Sequence, residues 1–273
     1  MPQTVAEVNA AVERLWPATG AEGWDAVGLI AGDLDAPVGS ILLAVDAVLD
    51  TVDEAIEAGA GLLLVHHPLL LRGVTSVASD SYKGAVLSRL IRANCALIAA
   101  HTNADVVETG TSGTFAAKLG LLDQRPIVPA ADPTRGIGRI GRLEHPTTLG
   151  RLARALGELL PATATGIRVS GDFDLPVSTI ALCGGAGDSL LGEPAVLGAD
   201  VYITSDLRHH PASEARENAR ASGRGPALID VSHWASEWLW LESAASELRT
   251  ALPGVTVTVS DLRTDPWDFV VTQ

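Results

Sequence analysis

Short apolar runs alternate with amphipathic helical patterns along almost the whole sequence of 273 residues. Runs such as "GLLLVHH" (61–67) and "CALIAAH" (95–101) are typical of buried strands. In segments such as 49–59 and 235–251, apolar residues recur three and four positions apart, which is typical of amphipathic helices. The alternation of strands and helices predicts an α/β fold with largely parallel pairing in its sheets.

The weakest part of this pattern is a proline-rich stretch near the middle of the chain. "LLDQRPIVPAADPTRGIG" starts at residue 121 and contains three prolines, two aspartates and two glycines. Such residues interrupt regular structure, so the stretch reads as a connection between two α/β halves. We expect an N-terminal half over residues 1–122 that C-terminal residues complete, a linker over 123–137, and a C-terminal half over 138–273.

Composition limits the class of partner. Lys and Arg total 19 against 33 Asp and Glu, giving a formal net charge of −14, so a nucleic-acid partner is disfavoured. The sequence has no apolar run of membrane-spanning length and no secretory signal pattern at its N-terminus. Cys95 and Cys183 each lie in an apolar context typical of small buried residues. We expect a water-soluble cytoplasmic protein without a membrane partner.

Most of the histidines follow predicted strands. Six of the seven fall in four short segments, and only His145 stands apart. In open α/β sheets, ligands bind beyond the carboxyl ends of strands, where these segments would lie. We therefore expect the segments to converge.

Three of the four segments offer metal-ligand types. His66 and His67 end an apolar run, although a hydrogen-bonded structural pair would explain them equally well. His101 and Asp105 are four apart at a helix entry, where aspartate is also a common N-cap. His233 and Glu237 have the spacing that places both on one face of a helix, as a metal-binding pair requires.

The fourth segment, "TSDLRHHP", leaves its chemistry open. Asp206, His209 and His210 can support metal ligands, act as general acids, or simply form the turn before a helix. A glycine-rich stretch, "LCGGAGDSL" (182–190), is compatible with an anion site or, more simply, with close packing.

The number of candidate ligands exceeds the needs of one ion. A catalytic zinc takes about three protein ligands, whereas the three segments offer five or six. Two divalent cations are therefore expected, and the mixture of imidazole and carboxylate suits Zn, Fe, Mn, Co or Ni.

Taken in order, six motifs resemble those of the Nif-three-like dinuclear metal-centre family, often labelled GTP cyclohydrolase type 2 homologues. They are "WDAVGLIAGD", "VHHPLL", "AAHTNAD", "CGGAGDSL", "TSDLRHHPASEA" and "IDVSHWASE". The resemblance implies two similar α/β halves with mixed, largely parallel sheets, a dinuclear metal site between them, and a toroidal homohexamer. The ligands that it implies are His66, His67, Asp105, His233 and Glu237.

The chain departs from many relatives in two respects. The short linker leaves no room for the domain that they insert between the halves, so this is a short form. Thr204-Ser205-Asp206 stands where relatives often have Thr-Gly-Glu, which retains an acid on a shorter side chain.

A metal-dependent hydrolase is the first functional hypothesis, with a water activated between two cations and His101 or His210 as proton donor. The family label implies attack on the guanine ring of GTP, a small-molecule nucleotide substrate. The same centre suits a phosphoesterase or a cyclic amidohydrolase. A non-enzymatic hexameric scaffold or metal-handling protein is the alternative from another class, because fold alone does not set function.

Overall fold

A computed structural model describes residues 3–272 of the chain. Nine helices are found among these residues: α1 Val5–Leu15, α2 Leu49–Glu57, α3 Tyr82–Arg92, α4 Thr102–Asp105, α5 Thr111–Lys118, α6 Leu149–Leu159, α7 Pro194–Leu197, α8 His209–Ser222 and α9 His233–Ala251. Fifteen strands are found in the same range: β1 Gln3–Thr4, β2 Gly28–Ala31, β3 Pro37–Val38, β4 Ser40–Ala44, β5 Leu62–Val65, β6 Ala96–Ala99, β7 Leu122–Arg125, β8 Val128–Pro129, β9 Gly136–Ile137, β10 Arg139–Thr148, β11 Arg168–Ser170, β12 Pro176–Ala186, β13 Val201–Ser205, β14 Ala227–Val231 and β15 Thr256–Val259.

The chain forms two compact units. The first runs to Ala104 and also contains Leu241–Thr264, and the second contains Asp105–Trp240 and the residues from Asp265 onwards. The expected halves were residues 1–122, completed by C-terminal residues, and 138–273. The helix α5 packs against β10 and β12, so the second unit begins before residue 122. Residues 123–137, the expected linker, contain most of β7 and all of β8 and β9.

The first unit is built on a five-stranded sheet in the order β15-β4-β5-β6-β2. Its pairings are parallel except that β2 runs antiparallel to β6. The apolar run Leu62–Val65 is fully buried, which is typical of a strand covered on both faces. On one face, Leu63 and Val65 pack with Val86 and Leu90 of α3.

The second unit is built on a six-stranded sheet in the order β11-β14-β13-β12-β10-β7. Only β12, β13 and β14 pair in parallel, and the remaining pairings are antiparallel. Tyr202 and Leu228 are buried in a core that includes Ala181 and Val196. The predicted α/β class with mixed sheets is confirmed, although antiparallel pairs outnumber parallel ones in this unit.

The histidine segments follow strand ends, as the sequence pattern predicted. The strand β5 ends immediately before His66, and β6 ends two residues before His101. In the second unit, β13 ends immediately before Asp206, and β14 ends two residues before His233. Among residues 3–272, no helix is both long and apolar enough to cross a membrane.

Candidate metal centre

Three histidines of the first unit form a compact group. Ligand atoms of His66, His67 and His101 lie within 4.8 Å of one another. Their ring centroids are 5.1 to 5.5 Å apart. His66 is completely buried, so its ring is shielded from solvent.

Each of these rings makes its Nδ1 hydrogen bond to an oxygen of the protein. His66 Nδ1 lies 2.8 Å from the carbonyl oxygen of Ala100, which can only accept. His67 Nδ1 lies 2.7 Å from Asp46 Oδ1, and His101 Nδ1 lies 2.9 Å from Asp25 Oδ1. Donation from Nδ1 fixes the tautomer and places the ring lone pair on Nε2, the arrangement that metal-binding histidines use.

The two carboxylates behind these rings are themselves held. The backbone N–H of Thr102 donates to Asp25 Oδ2 at 3.0 Å, and its hydroxyl donates to the same oxygen. Thr264 donates its hydroxyl to Asp46 Oδ2. Burial alone would raise the pKa of Asp25, but hydrogen bonds from Thr102 and His101 and the charge of His101 outweigh it, so that pKa is lowered. Asp25 is therefore an anion at neutral pH.

In the second unit, His233 and Glu237 form a pair at the start of α9. His233 Nε2 lies 3.0 Å from Glu237 Oε1, and His233 Nδ1 lies 2.8 Å from Asp206 Oδ2. Burial would lower the pKa of His233, but the charges and hydrogen bonds of Glu237 and Asp206 raise it well above its usual value. The Glu237 and Asp206 carboxylates therefore favour a positive charge at the His233 imidazole. A divalent cation can take the place of the imidazole proton that lies between His233 and Glu237.

A glycine makes room for this pair. Gly185 of β12 has φ +71°, and a Cβ built on it would lie 2.4 Å from Glu237 Oε1 and 3.3 Å from His233 Nε2. Its backbone N–H donates to Ser236 Oγ at 2.9 Å. At Gly187 a Cβ would lie 2.3 Å from the hydroxyl of Tyr202. Close packing thus accounts for the glycine-rich stretch that the sequence left open.

Asp105 lies at the end of α4 and accepts a hydrogen bond from the hydroxyl of Thr111. Burial raises the pKa of Cys183 to about 12, and the charges of Asp105 and Glu237 add to this rise. Burial lowers the pKa of Arg139, and the charges of Glu108 and Asp105 oppose that shift. The charges of Asp105 and Glu237 therefore both act on the same buried thiol.

His209 and His210 belong to the second unit, on the helix α8. They are exposed on the first turn of α8, and their rings pack against each other at 5.2 Å between centroids. Of the two histidines predicted to transfer protons, His101 belongs to the partly buried histidine group of the first unit, and His210 is exposed.

Sequence reasoning offered Asp206 as a support for metal ligands but missed the other two carboxylates that hold the rings. Asp46 was not singled out, and Asp25 appeared only within the motif "WDAVGLIAGD". A signal was available, because Asp46 ends an apolar run in the same way as the predicted ligands do.

Imidazole and carboxylate donors at the strand ends of mixed sheets define an α/β protein whose side chains can hold a divalent metal ion. The chain belongs to the Duf34/NIF3 (NGG1p interacting factor 3) family, whose model matches residues 3–266. This confirms the resemblance found in the sequence motifs.

Named relatives support the same assignment. The chain is 47% identical over 274 residues to the "GTP cyclohydrolase 1 type 2 homolog" of Streptomyces coelicolor, with 98% of this chain and 94% of the relative covered. It is 35% identical to the Mycobacterium tuberculosis protein of the same name, with 98% of each covered. That alignment spans 379 positions, so the relative has internal residues that this shorter chain lacks.

A solved structure shows the same fold. The crystal structure of a Staphylococcus aureus hypothetical protein is similar with a TM-score of 0.90 and 28% identity, covering 99% of this chain and all of the other.

Proposed function

We propose that this protein is a metal-dependent hydrolase of the kind named by its relatives, with a nucleotide such as GTP as its small-molecule substrate. In this proposal two divalent cations, drawn from Zn, Fe, Mn, Co and Ni, are held by five residues: His66, His67, Asp105, His233 and Glu237. The relatives' names include the word "homolog", so they support the class of enzyme that we propose and state no activity of the relatives themselves.

One observation carries the proposal. His66, His67, His101 and His233 each direct Nδ1 to a protein oxygen at 2.7 to 2.9 Å. Such bonds fix ring orientation and raise the basicity of Nε2, and metal-ligating histidines almost always have them. Structural histidines also make hydrogen bonds, but four that share this arrangement close after strand ends support metal binding over a purely structural role.

The donor set fits the proposed metals, because neutral imidazoles and ionised carboxylates are the ligands that these ions prefer. Bound divalent ions would supply Lewis acidity and activation of water. The chain's own residues contribute proton transfer and orientation. Asp25 stabilises a positive charge on His101, so His101 can hold a proton and deliver it to a leaving group.

The decisive experiment measures metal content and turnover on the same protein samples. The purified protein, loaded with each candidate metal, is incubated with GTP, and formate release is measured beside a panel of phosphodiesters and cyclic amides. Glu237→Gln should lower both metal content and turnover. Glu242→Gln is the matched control, because Glu242 lies on the same helix, is exposed and pairs with Arg249. Turnover that is unaffected by Glu237→Gln would refute the proposal.

A second candidate function is a non-enzymatic scaffold or metal-handling protein, acting as a homohexamer. The observation that favours it is an exposed apolar segment near the C-terminus, where Trp267, Phe269 and Val271 are 60%, 79% and 74% exposed. Exposed apolar patches mark protein contacts. Full metal loading with no turnover on any substrate of the panel would select this candidate.

A further inference from the structure

The second unit contains a cleft between α8 and the edge of its sheet. Its volume is about 520 Å³, which lies within the range of small-molecule sites. We call it the arginine cleft and define it by six of its lining residues: Arg168, Ser170, Ser213, Arg216, Arg220 and Asp230.

The helix that forms one wall is unusual for a helix that covers a sheet. No residue of α8 is buried. The face that lines the cleft includes Ser213, Arg216 and Arg220, spaced three and four residues apart. A helix that packs on a sheet normally presents apolar residues along that face. Ala212 and Ala215 of α8 pack on the core of this unit. Beside them the helix presents guanidinium groups to the cleft, which suit a polar occupant.

The opposite wall supplies a third arginine with a fixed support. Arg168 on the edge strand β11 contacts the carboxylate of Asp230 on β14, which lies beside it in the register of the sheet. The Asp230 side chain is only 9% exposed, so the contact is anchored in the wall of the cleft. A buried carboxylate thus orients the Arg168 guanidinium beside the space where a ligand would lie.

Three arginines line the cleft against two carboxylates, Glu217 and Asp230, so its net charge favours an anion. Arg220 pairs with Glu217 at 3.0 Å, but both side chains are exposed, and such surface pairs are weak and easily replaced. Arg216 has no ion-pair partner among residues 3–272. The chain as a whole has a formal net charge of −14, so a cleft lined by three arginines is unusually rich in positive charge for this protein.

Phosphate is the anion that these groups recognise best. A carboxylate occupies one guanidinium fork, whereas a phosphate group has three acceptor oxygens and can engage two or three arginines together. The hydroxyls of Ser170 and Ser213 add donors at the same walls. From Ser213 to Arg220 the helix rises about 10 Å at about 1.5 Å per residue, so the space exceeds one phosphate ion.

We propose that the arginine cleft binds a small organic phosphate, with the phosphate group on Arg216, Arg220 and Arg168 and the organic part along the cleft. This site goes beyond the proposed metal chemistry, because none of the residues that define it belongs to the proposed ligand set.

Binding is tested by calorimetry with ribose 5-phosphate on protein stripped of metal and again on metal-loaded protein. Inorganic phosphate and pyrophosphate serve as further probes, and ribose is the uncharged control. We expect ribose 5-phosphate to bind with or without metal, to bind more weakly as salt increases, and to exceed ribose by at least about tenfold in affinity. Affinity that appears only with metal bound would overturn the proposal, and the metal hypothesis would stand unaffected.

Substitutions locate the site. Arg216→Gln combined with Arg220→Gln should weaken ribose 5-phosphate by about tenfold or more, because charge-assisted hydrogen bonds are lost. Arg224→Gln is the control, since Arg224 is exposed just beyond α8 and does not line the cleft. Ser213→Glu places a carboxylate on the same exposed helix face and should abolish binding without disturbing the helix.

Two results would refute the assignment. One is equal affinity in the double glutamine variant, the Ser213→Glu variant and the Arg224→Gln control. The other is a change of molecular mass by light scattering in the double variant with unchanged phosphate binding, which would assign the cleft to a protein contact instead.

Discussion

The chain contains the tripeptide His-His-Pro twice, and the two copies differ in what surrounds them. His66 and His67 follow β5 directly, and both rings bond to protein oxygens through Nδ1. His209 and His210 lie exposed on the first turn of α8 and pack mainly on each other. The same three residues therefore form part of a candidate metal centre in one unit and a helix start in the other.

The position of each copy relative to its strand explains the difference. In the second unit, the first place after β13 is taken by Asp206, which has φ 56° and accepts a hydrogen bond from His233. The histidine pair then comes three residues later, on the helix. A metal centre at a strand end thus depends on the residue that directly follows the strand, and this residue is histidine in one unit and aspartate in the other.

The largest expected contrast is in metal content. His67→Gln should reduce bound metal by well over tenfold, because it removes a proposed ligand, whereas His210→Gln should leave metal content unchanged. Elemental analysis after gel filtration measures both, and thermal unfolding checks that each variant folds. Equal losses in the two variants would show that the second copy also binds metal.

A smaller contrast is expected between the carboxylates that lie beside the two copies. Asp46→Asn should weaken metal binding by about 10- to 100-fold, because the support of His67 is lost. Asp188 is the matched residue, since it holds Arg208 next to the second copy at 2.6 Å. Titration against a competing chelator should show no change for Asp188→Asn. An affinity of Asp46→Asn within twofold of wild type would contradict a supporting role.

The sequence predicted the strands and helices well because their signals are local. Apolar periodicity located β5 and α9, and the spacing of His233 and Glu237 follows from one helical turn. Which carboxylate accepts from which ring could not be predicted in this way, since Asp46–His67, Asp206–His233 and Asp25–His101 are separated by 21, 27 and 76 positions. Only the folded sheets bring such residues together. The pairing of β15 with β4 likewise joins the two ends of the first unit across most of the sequence.

Proton transfer should separate His101 from His210. With metal content equal to wild type, His101→Gln should lower kcat by about 100-fold, the usual contribution of a general acid. His210→Gln should lower it by less than about tenfold, because an exposed ring is readily replaced by water. Turnover of whichever substrate responds to metal loading measures both. Loss of metal in His101→Gln would identify His101 as a ligand instead.

The smallest expected effect concerns the pH dependence of stability in the metal-free protein. The pKa of Asp25 is lowered in the folded state, so its carboxylate stabilises the fold above its unfolded pKa of about 3.9, and this contribution is lost as pH falls through the lower folded value. The difference in free energy of unfolding between wild type and Asp25→Asn should therefore shrink as pH falls below about 4. Urea unfolding across this range measures it. His101→Gln removes one of the two side chains that hold the carboxylate, so its profile should lie between those of wild type and Asp25→Asn. Parallel profiles for all three proteins would show that the His101–Asp25 hydrogen bond contributes nothing to stability.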